Sequence, residues 1–442
     1  MTRQGSLKKL IRERMKKTGE RYTAARAMIL RGAVPAASPT SDYPGLLPGY
    51  DRWGGVMGDT ALLARALAHT GLRHPETGEP YSEAMVNGLC GGVGFLYAVF
   101  EYQGWPPMLT MVLRSRSMPQ TFVADLFDRV GATREVSQTG SEAVAARALD
   151  AALEAGRPAV CMVDAAHLPW SGVPQAMSGA GPHHVAVIGA DGESLWIDDR
   201  ALRPLAMDRA DFAKARGAYR QAKRLLFTVA PAGKAPDWRA RLLEALADTV
   251  RTMNEGDPTV PASFRVNCGF AGLEKWRALL VDARDKKGWP RVFTSGDRAY
   301  AGLRRVYDCI HHDYTAPAGG RPFYADFLDE AEALLGRPGL GEAASLFREA
   351  GERWRDLAEL AAGAPDAAVR RACELSDLRA EALDAGEVEA ARAFGEERAG
   401  LRESCSLGAE EAGGVFAAMA EALGAVIETE RAAVAALAAA IA

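Results

Sequence analysis

Two histidines and two aspartates fall on what reads as a single β-hairpin. It runs Pro182-His183-His184-Val185-Ala186-Val187-Ile188-Gly189, turns through Ala190-Asp191-Gly192-Glu193, and returns through Ser194-Leu195-Trp196-Ile197-Asp198-Asp199. Val185 to Ile188 is a short apolar run of the kind a buried strand shows. Asp191-Gly192 is a strong two-residue hairpin signal. The imidazoles stand at the start of one strand, and the carboxylates at the end of its neighbour. In an antiparallel pair those ends lie side by side. A general base then has beside it a group that can fix its tautomer, which makes two members of a nucleophilic triad. Successive residues of a strand face opposite ways, so only one of His183 and His184 faces such a site.

The third member is a nucleophile. A reactive thiolate needs a lowered pKa and an exposed perch such as a helix start or tight turn facing a histidine. Of the six cysteines (90, 161, 268, 309, 373 and 405), Cys90 fits best. It lies in Gly88-Leu89-Cys90-Gly91-Gly92, the G-x-C-x-G form of a nucleophile elbow, whose glycines permit a sharp turn and close approach of backbone N–H groups to an oxyanion. That motif wants a strand before it, whereas a helix precedes it here, so a thiol buried in a structural turn is the competing reading. Substrate contacts are expected from Asn87, Gly91, Gly92 and His184. Cys309-Ile310-His311-His312-Asp313 reads as a polar helix end, because adjacent helical side chains point about 100° apart and do not converge on one ion. No metal and no cofactor are expected.

These residues need a scaffold, and a chain of 442 residues with 48% hydrophobic and 25% charged residues can build two or three cores. Residues 1–32 carry ten Lys or Arg against two Glu, a basic helical arm on an otherwise acidic chain. A helix-turn-helix reader of DNA is the weaker reading of this arm, because its second helix offers few residues suited to base edges. Residues 33–53 read as a linker. Residues 54–232 read as an α+β domain. It has a helix from Asp59 or Thr60 to His69, strands near 95–102, 108–113, 133–137, 158–163 and 224–229, and helices at 118–129 and 141–155. Residues 235–442, rich in Ala, Leu, Glu and Arg, read as an all-α domain. No stretch reaches the ~20 apolar residues of a membrane span, and unpaired cysteine spacing fits reduced thiols, so a cytoplasmic protein is expected.

Two resemblances extend this. His183-His184-Val185-Ala186-Val187-Ile188-Gly189 is similar to the His-x-Val-x-x-Val/Ile-Gly pattern around the base of papain-like and bacteriocin-processing peptidases, with His183 as the base. More closely, residues 50–230 resemble the N-terminal domain of the butirosin biosynthesis protein H family. The matching stretches are Ala61-Leu62-Leu63 before Gly71, Ser82-Glu83-Ala84-Met85, Asn87 to Leu96, and the hairpin ending Asp198-Asp199-Arg200. The helical half, with Trp276-Arg277, Gly288-Trp289-Pro290 and Phe323 to Leu328, resembles the uncharacterised domain that usually follows.

The resemblance implies a papain-like fold and an acyltransferase of specialised metabolism. Such an enzyme moves an acyl or aminoacyl group from an acyl carrier protein thioester to a small-molecule amine. Cys90 would be the nucleophile, His183 the base, and Asp199 or Asp198 the orienting group, with the basic arm docking an acidic carrier. A thiol hydrolase, peptidase or amidase, on the same residues is the alternative. A second alternative is a binding protein, because Gly54 to Thr60, where members place a His-Cys pair or a related polar residue, holds neither Cys nor His. Self-association through the helical domain is left open.

Overall fold

The computed structural model describes residues 3–18, 22, 25–26, 29, 42–50, 53–101 and 104–442. Residues 33–41 and 51–52 of the expected linker, and parts of the second arm helix, lie outside the described residues. The strands are β1 Val93–Phe100, β2 Met108–Arg114, β3 Ala132–Ser137, β4 Ala159–Asp164, β5 Pro182–Asp191, β6 Ser194–Asp198, β7 Leu205–Asp208 and β8 Leu226–Pro231. The principal helices are α1 Arg3–Thr18, α2 Gly58–His69, α3 Glu83–Leu89, α4 Glu142–Glu154, α5 Arg209–Ala218, α6 Trp238–Glu255, α7 Gly269–Val281, α8 Gly296–His311, α9 Arg321–Leu335, α10 Gly339–Ala362, α11 Ala367–Asp384, α12 Val388–Gly400 and α13 Ala409–Ile441. Mixed α and β structure is thus followed by helices. The helix expected over 118–129 is two short turns, Pro119–Phe122 and Leu126–Val130.

The chain folds as two units that interleave in sequence. The first comprises Met1–Val86, Leu126–Trp238 and Asp377–Glu396; the second comprises Asn87–Asp125, Arg239–Ser376 and Glu397–Ala442. The change of composition near 232–235 falls close to one crossover. Composition reports local propensity, however, and not which core a segment joins. The β1–β2 segment goes to the helix-rich unit, and the end of α11 with the start of α12 goes to the sheet unit.

In the first unit β3-β8-β4-β5-β6-β7 form one sheet, every neighbouring pair antiparallel. Cys161, Val163, Val185, Val187 and Ile197 from the strands join Leu149 and Ala152 of α4, Phe212 and Ala215 of α5, and Trp170 in one buried cluster. Each large aliphatic side chain so buried contributes about 1.5–3 kcal/mol, an upper bound because the unfolded chain is partly collapsed. The hairpin turn forms at Gly192, with φ +57°. A register shift between Val187 and Gly189 marks a bulge in β5. The Gly45-Leu46 backbone crosses there, with Leu47 N–H donating to Ile188 O at 2.9 Å. A Cβ on Gly189 would lie 2.6 Å from Gly45 O, so the crossing requires glycine.

In the second unit β1 and β2 form an antiparallel hairpin. Its helices pack an aromatic core in which the Trp276 and Trp354 rings stack at 6.4 Å and Phe95 stacks on Trp276 at 6.0 Å. The helix α13 is, by length and composition, apolar enough to cross a membrane. Its Phe416, Met419, Leu423, Val426, Val434 and Leu437 are nevertheless buried within the protein, as in a core helix.

Candidate active site

The hairpin delivers its histidines to different partners. Ala186 pairs with Asp198 at the end of the ladder, and just beyond it Asp199 comes beside His183. His183 Nε2 lies 2.8 Å from Asp199 Oδ1. The other carboxylate oxygen, Oδ2, accepts from Trp170 Nε1–H at 2.7 Å. Asp199 is therefore held from both sides, and its hydrogen bond fixes the imidazole with the Nε2 proton toward the carboxylate. His183 Nδ1 has no hydrogen-bond partner among the described residues, and the side chain is 32% exposed. This is the disposition a general base needs: one nitrogen oriented, the other open.

His184 is only 2% exposed, and its Nδ1 lies 3.0 Å from Asp59 Oδ1. Asp198 is bound by Arg65, whose Nε and Nη2 lie 2.6 and 2.7 Å from the two oxygens, and by Tyr50 OH at 2.5 Å. Asp198 thus anchors α2 through Arg65, and Asp199 is the carboxylate that serves His183.

Charge follows this geometry. Burial alone would push the His183 imidazole down, but Asp199, and more distantly Asp59, outweigh it and raise its pKa above the ordinary value. Burial would likewise push the Asp199 carboxyl up; the His183 and Trp170 contacts prevail and hold it below the usual carboxylate range.

The head of α2 lies against this pair. Met57, at the helix N-cap position, is extended and makes no side-chain cap. The turn before α2 is held by Glu83, whose carboxylate accepts from Val56 N and Met57 N at 2.8 Å each and from Thr60 Oγ1 at 3.0 Å. Burial pushes the Glu83 carboxyl up against the backbone donors that favour its charge. The first helical residue, Gly58, has no side chain. A Cβ built there would lie 3.9 Å from His183 Cε1 and 4.0 Å from Asp199 Oδ1. Position 58, at the head of the helix, therefore faces the His183–Asp199 pair without a side chain.

Cys90, Asn87, Gly91 and Gly92 belong to the second unit, whereas His183, His184, Asp198 and Asp199 belong to the first. Cys90 is fully buried. The glycines around it make room for side chains. A Cβ on Gly88 would meet the Phe327 ring at 2.2 Å, and one on Gly92 would meet Tyr324 at 2.2 Å. The Gly91 N–H donates to Gly88 O at 2.8 Å and the Gly92 N–H to Asn87 O at 3.0 Å, so both amides are used within the turn. Cys309 accepts from Arg305 at 3.1 Å, and the same guanidinium pairs with Asp313. Among the described residues no group of three His, Cys, Asp or Glu side chains is placed to hold a metal.

Sequence reasoning missed Trp170, Gly58 and Glu83. Trp170 lies in a loop without a motif. Gly58 could have been found from its place near the start of the first helix of the α+β domain, and Glu83 from being an acid at the start of a short helix.

Residues 59–200 match the family model described as butirosin biosynthesis protein H, N-terminal. Residues 206–394 match a domain of unknown function (DUF4872). The first match begins at the head of α2 and ends one residue beyond Asp199, enclosing the His183–Asp199 pair. No curated protein matches the chain. The chain thus has the domain architecture of the butirosin biosynthesis protein H-like family, the N-terminal domain at residues 59–200 followed by the domain of unknown function at 206–394.

Proposed function

We propose that this protein is a cytoplasmic acyltransferase of specialised metabolism, on a papain-like N-terminal domain, that carries an acyl or aminoacyl group from a carrier-protein thioester to a small-molecule amine. The observation that carries this reading is the Trp170–Asp199–His183 chain, which leaves the Nδ1 side of a partly exposed imidazole free for a substrate, with the side-chain-free Gly58 against the ring at Cε1. His183 Nδ1 takes the proton from the incoming amine as its nitrogen attacks the thioester carbonyl. The tetrahedral intermediate collapses to the amide, and the thiol of the carrier leaves with a proton returned by the imidazolium. The space at Gly58 admits the acceptor. Transfer is then a single displacement, and the burial of Cys90 agrees with a structural thiol. In the covalent alternative Cys90 takes the acyl group first.

The carrier is an acidic partner for the arm, whose Lys9, Lys16 and Lys17 are exposed. Truncation of residues 1–32 is a poor test of that docking, since Arg26 is buried in the first unit. Replacing the three lysines by Ala is the better one. Carrier-dependent turnover is expected to fall and to lose salt sensitivity, while a small thioester donor is used as before.

The chemistry is tested with acyl-N-acetylcysteamine thioesters and amine acceptors, by intact mass and product analysis. The expected result is amide formed without a covalent adduct, retained in Cys90→Ala and lost in His183→Ala. An adduct that disappears in Cys90→Ala establishes the covalent route instead. Acid product formed equally with and without amine makes the protein a hydrolase, and inertness toward every thioester makes it a binding protein.

A further inference from the structure

The basic arm has a role that its charge does not suggest. Tyr22, Ala25, Arg26 and Ile29 are helical and share one face at i, i+3, i+4 and i+7 spacing. Tyr22 and Ala25 are buried with Ile11 of α1, Leu202 and Ala380. Arg26 is only 3% exposed. Its Nε pairs with Asp384, Nη1 donates to Gly55 O, and Nη2 donates to Arg200 O at 3.2 Å. Tyr22 OH donates to Asp384 at 2.9 Å.

The two carbonyls flank the candidate site. Gly55 lies three residues before Gly58, and Arg200 directly follows Asp199. Arg200 is also in the left-handed region, at φ +64°, and its Nη1 donates to Val56 O at 3.4 Å. A side-chain-bearing residue is strained there and persists only where its surroundings hold it. The guanidinium of Arg26 is what holds the carbonyl of Arg200.

We propose that Arg26 is a positioning residue: anchored by Asp384, its rigid fork ties the turn before α2 to the turn after Asp199 and so sets where Asp199 meets His183. A planar guanidinium with three separately directed donors suits this task, and an ammonium on a shorter reach does not. Without it, Arg200 relaxes toward negative φ and Asp199 moves away from the imidazole. The proposal takes its catalytic meaning from the reading of His183 and Asp199 as the base pair, but its test needs no substrate.

The test follows His183 by NMR in the full chain with isotope-labelled histidine, assigned with His183→Gln, alongside thermal unfolding. Asp199→Asn is expected to lower the His183 titration midpoint, and its failure to do so sinks the base-pair reading itself. Given that shift, Arg26→Ala is expected to lower the midpoint by a substantial part of it, and Tyr22→Phe, which keeps the fork, to leave it in place. A folded Arg26→Ala protein with a reduced Tm and an unchanged midpoint overturns the proposal, because the arm then only adds stability. If Arg26→Ala does not fold, Arg26→Lys replaces it: a lowered midpoint supports positioning, and a wild-type midpoint overturns it.

Discussion

Arg321→Met is expected to cost the second unit about 3–5 kcal/mol of folding stability, the size found when one member of a buried ion pair is removed. Arg321 and Glu430 are both fully buried and paired. The guanidinium also donates to Leu113 O at 2.9 Å, Gly319 O at 2.7 Å and Gly94 O at 2.9 Å, and lies over the Trp354 ring. Trp354 Nε1–H donates to Glu430 at 2.7 Å. The Gly94 carbonyl sits in the irregular stretch of β1 between Val93 and Leu96, where the ladder does not use it. Removing Arg321 leaves a buried carboxylate and three carbonyls short of a donor. Urea unfolding followed by tryptophan fluorescence reads the cost. The double replacement Arg321→Met with Glu430→Leu is expected to recover the part due to the unpaired carboxylate, but not the part due to the three carbonyls and the Trp354 N–H that it leaves without partners. A single-mutant cost below about 1 kcal/mol would show that water or relaxation satisfies the carboxylate.

The largest functional effect is expected at His183. His183→Ala should lower the rate of amide formation by about 10²–10⁴-fold, the usual contribution of a positioned base, with little change in KM, because the imidazole acts on the proton in flight. Asp199→Asn should come close to it, since an amide can hold the ring in the wrong tautomer. In wild-type protein the base is the neutral imidazole. Its pKa is raised, so kcat should fall as pH drops through a value above the ordinary histidine pKa of about 6.5. The stability effect has the opposite sense. The raised His183 pKa adds stability that is full below about 6.5 and lost as pH rises through the folded value. The lowered Asp199 pKa adds stability present above about 4 and lost in acid. The pair therefore stabilises most in mildly acidic solution, where the base is protonated and inactive. A pH–rate profile with no rise across neutrality in the wild type, or one unmoved by Asp199→Asn, rules out His183 as the base.

How much of this was legible in sequence depends on how far each partner lies. The hairpin was legible because alternation, turn and return strand are contiguous. His183 was separable from His184 by the resemblance, and the structure gives the physical difference: one imidazole is open, and the other is closed on Asp59. Asp198 and Asp199 were not separable, because Arg65 and Tyr50, which take up Asp198, come from far upstream. The glycine-rich stretch at Gly88–Gly92 shows the opposite difficulty. Glycine marks either a backbone that must turn or a neighbour that must come close, and Phe327 and Tyr324, more than two hundred residues away, supply the second cause. The pairing of β7 with α5 went unread, although Asp208 accepts from Ala210 N at 2.7 Å and was recognisable as a helix cap.

The Arg26–Asp384 contact joins residues 358 positions apart. At about 5–20 residues per second of synthesis, Arg26 waits roughly 20–70 s for the carboxylate that anchors it. The sheet, α2 and both members of the base pair are already translated during that time. A nascent chain can fold its hairpin early, yet it cannot set the Asp199 turn until the ribosome has passed the end of α11. The order of translation thus keeps the site unfinished until most of the protein has been made.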